Sequence, residues 1–176
     1  MSLPSYYITT PIYYVNDVPH IGHAYTTLAC DVMARFKRLD GYNVLFLTGT
    51  DEHGQKVEIA AGKHGIEPQL FTDQVSQNFR DLLPALDISN DDFIRTTEQR
   101  HKVAAQVIWQ KLFDNGHIYR DKYSGWYSVR DEAYFTESEL IDGKAPTGAP
   151  VSWVEEESYF FNLSNWQDKL LEFYND

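Results

Sequence analysis

The sequence is poor in cysteine, in basic residues and in long apolar runs. Cys30 is its one cysteine among 176 residues, which excludes an internal disulfide and a zinc site built from several thiolates. Lys and Arg total 15 against 26 Asp and Glu, so the net charge is -11. We find no membrane-spanning run and no signal-peptide pattern. We therefore expect a cytoplasmic protein that binds neither membranes nor nucleic acid nonspecifically.

The sequence does contain enough apolar residues for the core of one globular domain, or of one domain plus a small appendage. The hydrophobic fraction is 43%, with 12 Tyr and 10 Phe. Strand and helix patterns alternate through the first two thirds, which predicts an α/β fold with a parallel sheet. The predicted elements are a strand over 5–10, a helix over 24–39, a doubly covered strand over 44–47, a helix over 55–64, a helix from Pro68, and a helix that opens at a Thr96/Gln99 capping box and closes at Gly116.

After Ile118 the pattern changes to short aromatic stretches separated by turns and charges, which is typical of antiparallel ribbons. "DGKAPTGAP", residues 142–150, reads as a loop, and a final helix is expected to start at a Ser164 cap. We therefore predict two domains, over residues 1–116 and 117–176.

Two histidines, His20 and His23, stand in "PHIGH" where the first strand pattern gives way to the first helix. The carboxyl edge of an open α/β sheet holds ligands, and a helix N-terminus favours anions. Gly22 between the histidines would let a phosphate or a flat group approach the backbone. The residues alone leave three interpretations open: a phosphate cradle, a pair of capping and packing histidines, or a metal site with a third ligand.

A second polar segment, "TGTDEHGQK" over residues 48–56, directly follows the second buried strand. It should lie at the same sheet edge as the histidines. Asp51 could there hold an ammonium group through its carboxylate. The alternative interpretation of Asp51 and Glu52 is a helix cap followed by an acidic first turn.

These residues together resemble a known family. "PHIGH" is similar to the HIGH signature of class I aminoacyl-tRNA synthetases. The block from "TTPIYYVNDVPHIGH" to "LTGTDEHGQK" resembles the methionyl-tRNA synthetase family in its bacterial form, and the likeness continues through "DDFIRTTEQRHKVAAQVIWQKLFDNGHIY". The resemblance implies that residues 1–116 form the first half of a Rossmann-like catalytic domain. Residues 117–176 would then be part of an inserted connective domain.

The resemblance also implies an activity, in which ATP and methionine form methionyl-adenylate and methionine then passes to tRNA. It assigns catalytic contacts with the ATP phosphates to His20 and His23, and further ATP contacts to Thr10 and Gly22. Methionine would be bound by the Ile12 carbonyl, the Tyr14 ring and the Asp51 carboxylate. The implied substrates and partners are L-methionine, ATP with Mg²⁺ and tRNA(Met), and the implied protein is a monomer.

This sequence departs from the family pattern in two places. No KMSKS-like lysine loop occurs in the 176 residues, so we expect a truncated portion that is inactive alone and binds tRNA weakly. Ser128 and Asp131 stand where relatives carry a CxxC pair, so the resemblance implies a zinc-free knuckle filled by aromatic packing.

Two other functions remain open at this point. The chain could be a non-catalytic, synthetase-like module that binds a nucleotide or an amino acid. It could also be a small adenylyltransferase of the H-x-G-H type, although such proteins lack the "GTDEHG" block.

Overall fold

A computed structural model describes residues 3–175 of the chain. Met1, Ser2 and Asp176, at the ends of the two predicted domains, lie outside the described residues. The chain divides into two compact units, of which one ends at Val103 and the next begins at Ala104. This division falls inside a helix, whereas the sequence prediction put the domain boundary after Gly116. The assignment of the two domains stays a prediction.

The first unit consists of a parallel sheet and the helices that connect its strands. Its elements are β1 (Ser5–Thr9), β2 (Tyr13–Tyr14), α1 (Ile21–Leu39), β3 (Asn43–Asp51), α2 (Gln55–His64), α3 (Pro68–Ala85) and β4 (Asp92–Arg95). The helix that contains the boundary between the units is α4 (Gln99–Asp114). The helices begin and end close to the predicted positions, because Gly65 adopts the left-handed conformation after α2 and Pro68 opens α3.

Strand β3 is the centre of this sheet, and every other strand pairs with it in parallel. Leu47 has Thr9 of β1 as its partner on one side and Asp92 of β4 on the other. β3 is longer than the predicted strand and runs on to Asp51, where β2 pairs with it. The sequence did not predict the short strands β2 and β4. Because all strands run the same way, their carboxyl ends meet at one edge of the sheet.

Burial corrects the sequence interpretation of β3 and shows which residues of α1 are covered. In β3, Phe46 is fully buried but Leu45 is 50% exposed, so the predicted double cover is absent over residues 44–47. Both faces are covered only further along the strand, where Thr48, Gly49 and Thr50 are buried in succession. In α1, the apolar stripe of Leu28, Val32 and Phe36 is exposed as well. The buried positions of α1 are instead Thr27, Asp31 and Ala34. The helix was predicted correctly from its periodicity, but the periodicity did not identify the face that packs on the sheet.

The hydrophobic core of the first unit lies between β2, α2 and α3. It consists of three aromatic residues together with valines and an alanine. The core residues are Tyr13, Val15, Val57, Ala61, Phe71, Val75 and Phe79. This core places the side chains of α3 directly beneath the chain that leads into α1.

A buried carboxylate attaches α1 to the loop that precedes β4. Asp31 Oδ1 accepts hydrogen bonds from the Ser89 N–H at 2.7 Å and the Ser89 hydroxyl at 2.6 Å. Asp31 Oδ2 is paired with Arg35 Nε at 2.7 Å. Burial alone would raise the pKa of Asp31, but the bonds from Ser89 and Arg35 outweigh it and hold the pKa below its usual value.

We expect Asp31→Asn to cost about 1.5–3 kcal/mol of unfolding free energy at pH 7, because bonds to a charged acceptor are lost. A carboxylate whose pKa is lowered by folding stabilises the protein above its unfolded pKa and stops doing so as the pH falls through the folded pKa. The difference from the unaltered protein should therefore shrink below about pH 4. Urea unfolding at several pH values measures it.

Asp40→Asn is the matched control, since Asp40 forms an exposed pair with Lys37 at 3.3 Å. It should change the unfolding free energy by less than about 1 kcal/mol at any pH. An Asp31→Asn penalty that stays constant from pH 7 to pH 3 would show that the carboxylate charge is not the stabilising feature.

The second unit is built on a three-stranded antiparallel sheet in the order β6-β5-β7, which confirms the predicted ribbons. Its strands and helix are β5 (Ile118–Ser128), β6 (Ala133–Phe135), β7 (Ser152–Phe161) and α5 (Gln167–Asn175). The predicted Ser164 cap is wrong, because Ser164 lies inside a 3₁₀ turn, Leu163–Trp166, that precedes α5. Across residues 3–175, none of the helices combines the length and the apolar character needed to cross a bilayer.

Candidate functional site

A cleft lies beside β2, between the end of β1 and the start of α1. It encloses about 560 Å³. Its lining residues are Pro11, Ile12, Tyr13, Tyr14, Asn16, Asp17, Val18, His20 and His23. The structure thus brings four of the sequence-predicted site residues, Ile12, Tyr14, His20 and His23, to one concave surface of the first unit.

The two histidines cap the N-terminus of α1 for each other. His20 is the N-cap residue, and its Nδ1 accepts the Gly22 N–H at 3.1 Å. His23 is the third helical residue, and its Nδ1 accepts the His20 N–H at 3.0 Å. This is the reciprocal arrangement of a capping box, with imidazoles in place of the usual hydroxyl and carboxylate. The capping interpretation of the two histidines therefore holds in the structure, and the capping bonds use only the Nδ1 atom of each ring.

The capping bonds determine where each imidazole carries its proton. A ring nitrogen that accepts a backbone N–H has no proton of its own, so a neutral ring carries the proton on the other nitrogen. In its neutral form, each of the two rings is therefore an Nε2–H tautomer. The two rings stack with their centroids 3.9 Å apart. The pair presents two N–H donors beside a helix N-terminus, which is an arrangement suited to an anion.

The neutral state of His23 is supported by its surroundings. Burial of the ring lowers the pKa of His23 below its usual value, and the adjacent His20 imidazole lowers it further. Protonation of Nδ1 would also remove the acceptor for the His20 N–H. The lowered pKa thus favours the neutral ring near neutral pH, and the capping bond selects the Nε2–H tautomer of that ring.

Position 22 requires a glycine because the His20 ring lies close to its backbone. A Cβ at this position would lie 2.9 Å from Cε1 and 3.1 Å from Nδ1 of His20. The His20 ring therefore rests on the Cα of Gly22, and a larger residue would push the ring off its capping bond.

We expect Gly22→Ala to give no net stabilisation. Alanine in place of glycine normally stabilises a helix by about 1 kcal/mol, but loss of the His20 cap costs about the same. Gly62→Ala in α2 is the control, because a Cβ there meets nothing within 4 Å. Thermal unfolding should show a raised midpoint for Gly62→Ala only. An equal rise for both variants would show that the His20 ring is not held against Gly22.

The remaining predicted site residues lie at the same sheet edge with different exposure. Asp51, the last residue of β3, is partly exposed and stands in register with Tyr14 of β2. Thr10 is buried, and its hydroxyl lies 2.7 Å from the Thr48 hydroxyl and donates to the Pro11 carbonyl at 2.8 Å. The hydroxyl of Thr10 therefore joins the ends of β1 and β3.

The residue after Asp51 is a buried carboxylate, Glu52, which the sequence analysis considered only as a first-turn acid; α2 begins later, at Gln55. Glu52 has a fully buried side chain and accepts two bonds from Arg95, at 2.7 and 2.9 Å. The Thr50 hydroxyl donates to the same carboxylate at 2.7 Å. The Glu52 N–H donates to the Thr96 hydroxyl at 2.9 Å, so Thr96 stabilises the backbone that follows β3. The predicted Thr96/Gln99 capping box is not formed, because α4 begins at Gln99, so Gln99 is the first helical residue and not the third after a Thr96 cap.

In the second unit, the Asp131 carboxylate links the connection between β5 and β6 to the connection between β6 and β7. The sequence analysis expected a zinc-free knuckle in this region. Asp131 Oδ2 accepts from the Ser128 hydroxyl at 3.0 Å and from the Thr147 hydroxyl at 2.5 Å. Ser128 is fully buried, and Trp126 and Trp153 pack edge to face at 5.4 Å. Hard oxygen atoms from one carboxylate and two hydroxyls do not fit a thiolate zinc site. Among residues 3–175, no three His, Cys, Asp or Glu side chains converge as metal ligands.

Comparisons with known proteins identify the family of the sequence. A family model described as tRNA synthetases class I (M) matches residues 6–150. The methionine–tRNA ligase of Rickettsia conorii (strain ATCC VR-613 / Malish 7) is 72% identical over 171 residues, which are 97% of this chain and 34% of that protein. The chain thus spans about one third of the length of the curated relatives it matches.

Solved structures agree with the sequence matches. Mycobacterium tuberculosis methionyl-tRNA synthetase in complex with methionyl-adenylate matches with a TM-score of 0.89 at 51% identity, over 98% of this chain and 35% of that one. An Agrobacterium radiobacter K84 LeuRS in a ternary complex with tRNA and LeuAMS matches with a TM-score of 0.77 at 26% identity, over 97% of this chain and 22% of that one. The predicted α/β fold class, with part of a Rossmann-like parallel sheet followed by antiparallel strands, is confirmed. The match decides against a small adenylyltransferase.

Proposed function

Because this chain belongs to the class I tRNA synthetases (M), we propose that it supplies the amino-acid cleft and the phosphate-binding histidines of a methionine–tRNA ligase. In the proposed reaction, the methionine carboxylate attacks the α-phosphorus of ATP. Methionyl-adenylate forms and pyrophosphate leaves. A hydroxyl at the tRNA(Met) 3′ end then takes the methionyl group, and AMP leaves. The observation that carries the proposal is the reciprocally capped histidine pair at the wall of the cleft.

The proposed role of His20 and His23 is to stabilise negative charge on the phosphates. Such donors act best when they are fixed before the reaction, since no reorganisation is then needed as charge develops. The capping bonds and the ring stacking fix both imidazoles in this way. Gly22, in the first turn of α1, and Thr10, at the end of β1, are proposed as further ATP contacts.

The proposed methionine subsite lies at the ends of β2 and β3. Ile12, which is 41% exposed in the cleft, would bind the ammonium group through its backbone carbonyl. Asp51 would bind the same group through its carboxylate. Tyr14, which is 50% exposed, would form a wall of the side-chain pocket. The neighbouring positions of Tyr14 and Asp51 in the sheet support this grouping.

The other substrates and properties follow from the family and are part of the same proposal. Mg²⁺ would enter with ATP as part of the substrate. The protein is proposed to be a cytoplasmic monomer. We also propose that these residues hold no structural zinc, because Cys30 is the one cysteine in the sequence and the Asp131 cluster lacks thiolates. Metal analysis of the purified protein should find no stoichiometric zinc.

Amino-acid-dependent exchange of pyrophosphate into ATP tests the function. We would measure it on a polypeptide that extends this chain to the length of its curated relatives, with methionine, leucine, isoleucine and cysteine in turn. The proposal predicts exchange with methionine, and little with the 176-residue chain alone. Exchange driven by another amino acid would contradict the proposal, and no exchange at all would favour the non-catalytic binding module.

A further inference from the structure

The ring of His23 is enclosed by aromatic side chains from three different segments. Tyr13 of β2 meets it edge to face at 4.7 Å. Phe79 of α3 meets it edge to face at 5.1 Å, and His20 stacks on it at 3.9 Å. Tyr13 and Phe79 also stack on each other at 5.7 Å. Two of the three neighbours therefore belong to the hydrophobic core and not to the histidine motif.

Tyr13 is fixed relative to the first turns of α1. Its hydroxyl lies 2.9 Å from the Thr27 hydroxyl and donates to the His23 carbonyl at 3.3 Å. The Thr27 hydroxyl donates to the same carbonyl at 2.8 Å. Tyr13 is 8% exposed, so its ring can move little without disturbing the core. It thus contacts both the ring and the backbone of His23.

Phe79 connects the histidine to α3. It is 2% exposed and shares the core with Val75 and Phe71 on the same helix. A close-packed phenylalanine at this position leaves the His23 ring little room to rotate. The orientation of a residue in the HIGH-like motif therefore depends on a helix that follows it much later in the sequence.

The enclosure explains why only one nitrogen of His23 is available to a ligand. Nδ1 is used by the His20 N–H, and the ring edges on the core side face Tyr13 and Phe79. Nε2–H is the donor that remains for the cleft which His23 lines. Two of the groups in contact with the His23 ring, His20 and Tyr13, are ionisable, and Phe79 is not. The Asp17 carboxylate lines the same cleft.

We propose that Tyr13 and Phe79 are positioning residues of the phosphate-binding pair, which hold the His23 imidazole in the one orientation and tautomer that offers Nε2–H to the substrate. This inference rests on the proposed function. Phe79 is not among the residues that line the cleft and acts through His23. Tyr13 also lines the cleft, and the role proposed for it here is its hold on the ring and backbone of His23. A ring that is free to turn would offer the donor for only part of the time and would lose its capping bond.

Phe79→Leu and Phe71→Leu form a matched pair of variants for the test. Both residues are buried phenylalanines of α3 in the same core, but Phe71 packs near His64 and not near His23. The two variants should lower the thermal midpoint by similar amounts, because they remove similar apolar contacts. Only Phe79→Leu should lower kcat/KM for methionine-dependent exchange, by about tenfold or more, since small displacements of catalytic groups cost this much.

The pH profile gives a readout that a purely structural role would not change. With Phe79→Leu the His23 ring is less enclosed, so its lowered pKa should return towards the ordinary value. The loss of exchange activity on acidification should then begin at a higher pH than in the unaltered polypeptide or in Phe71→Leu. Equal kcat/KM losses and identical pH profiles for the two variants would overturn the inference.

Two further measurements keep the inference separable from the proposed function and from misfolding. Tyr13→Phe keeps the ring but removes the bonds to Thr27 and His23, and should lower kcat/KM without unfolding the protein. Nitrogen chemical shifts of the His23 imidazole should report one tautomer in the unaltered polypeptide and in Phe71→Leu, and a mixture in Phe79→Leu. If the unaltered polypeptide shows no methionine-dependent exchange, the proposed function fails, and the nitrogen shifts of His23 alone test the positioning role of Phe79. A single, unchanged His23 tautomer in Phe79→Leu would overturn that positioning role.

Discussion

Replacing His23 by alanine is expected to lower methionine-dependent pyrophosphate exchange by about a hundredfold to a thousandfold, the usual cost of removing one preorganised donor to developing negative charge. The variant loses the Nε2–H of His23. It also removes the acceptor for the His20 N–H, so the second donor loses part of its support. The loss should fall mainly on kcat, because the charge that the donor stabilises is largest in the transition state.

His64→Ala is the control for this variant. His64 lies in the last turn of α2, is exposed, and contacts the Ala60 carbonyl at 2.9 Å. Its replacement should leave exchange within about twofold, as expected for a surface change away from the site. A His23→Ala polypeptide that keeps full exchange activity would remove the histidine pair from the mechanism.

The second large effect is expected on stability, from Arg95→Met. Glu52 has no exposed side-chain surface, and Arg95 supplies two of its hydrogen bonds and its counter-charge. Removal of one partner of a buried ion pair leaves an uncompensated charge and costs about 3–5 kcal/mol. We therefore expect Arg95→Met to lower the unfolding free energy by that amount in chemical denaturation at neutral pH.

Arg100→Met is the matched control, because it breaks a pair of similar geometry that is exposed. Arg100 binds Asp92 in a pair whose side chains are 50% and 41% exposed. Such a pair contributes about 0–1 kcal/mol. Adding Glu52→Gln to Arg95→Met should restore part of the stability, since the buried charge is removed as well. Equal losses for the Arg95 and Arg100 variants would contradict the role given to burial.

The elements that could be predicted from the sequence are those with a strong local signal. The bounds of α2 match the prediction because Gly65 ends the helix, and α3 begins at Pro68 as predicted. β2 and β4 were missed because they are short, and β4, "DFIR", is half charged. Their strand conformation depends on pairing with β3, which is a tertiary contact.

The position of the candidate site was predictable, but its internal geometry was not. His20 and His23 could be placed at a sheet edge from the order of strand and helix patterns. Their reciprocal cap depends on the rotamers of two imidazoles, and no sequence rule includes histidine at both positions of a capping box. Phe79 lies in a helix that was predicted from Pro68, but its contact with His23 depends on how α3 packs against β2.

The central claim is that His20 and His23 act as one preorganised donor pair, and a double-mutant cycle tests it most directly. We would measure methionine-dependent exchange for His20→Ala, His23→Ala and the double variant in the extended polypeptide. His23 Nδ1 holds the His20 N–H, and the two rings stack on each other. The double variant should therefore lose about as much kcat/KM as the worse single variant. A double variant whose loss equals the product of the two single losses would show that the histidines act independently, and would contradict the account.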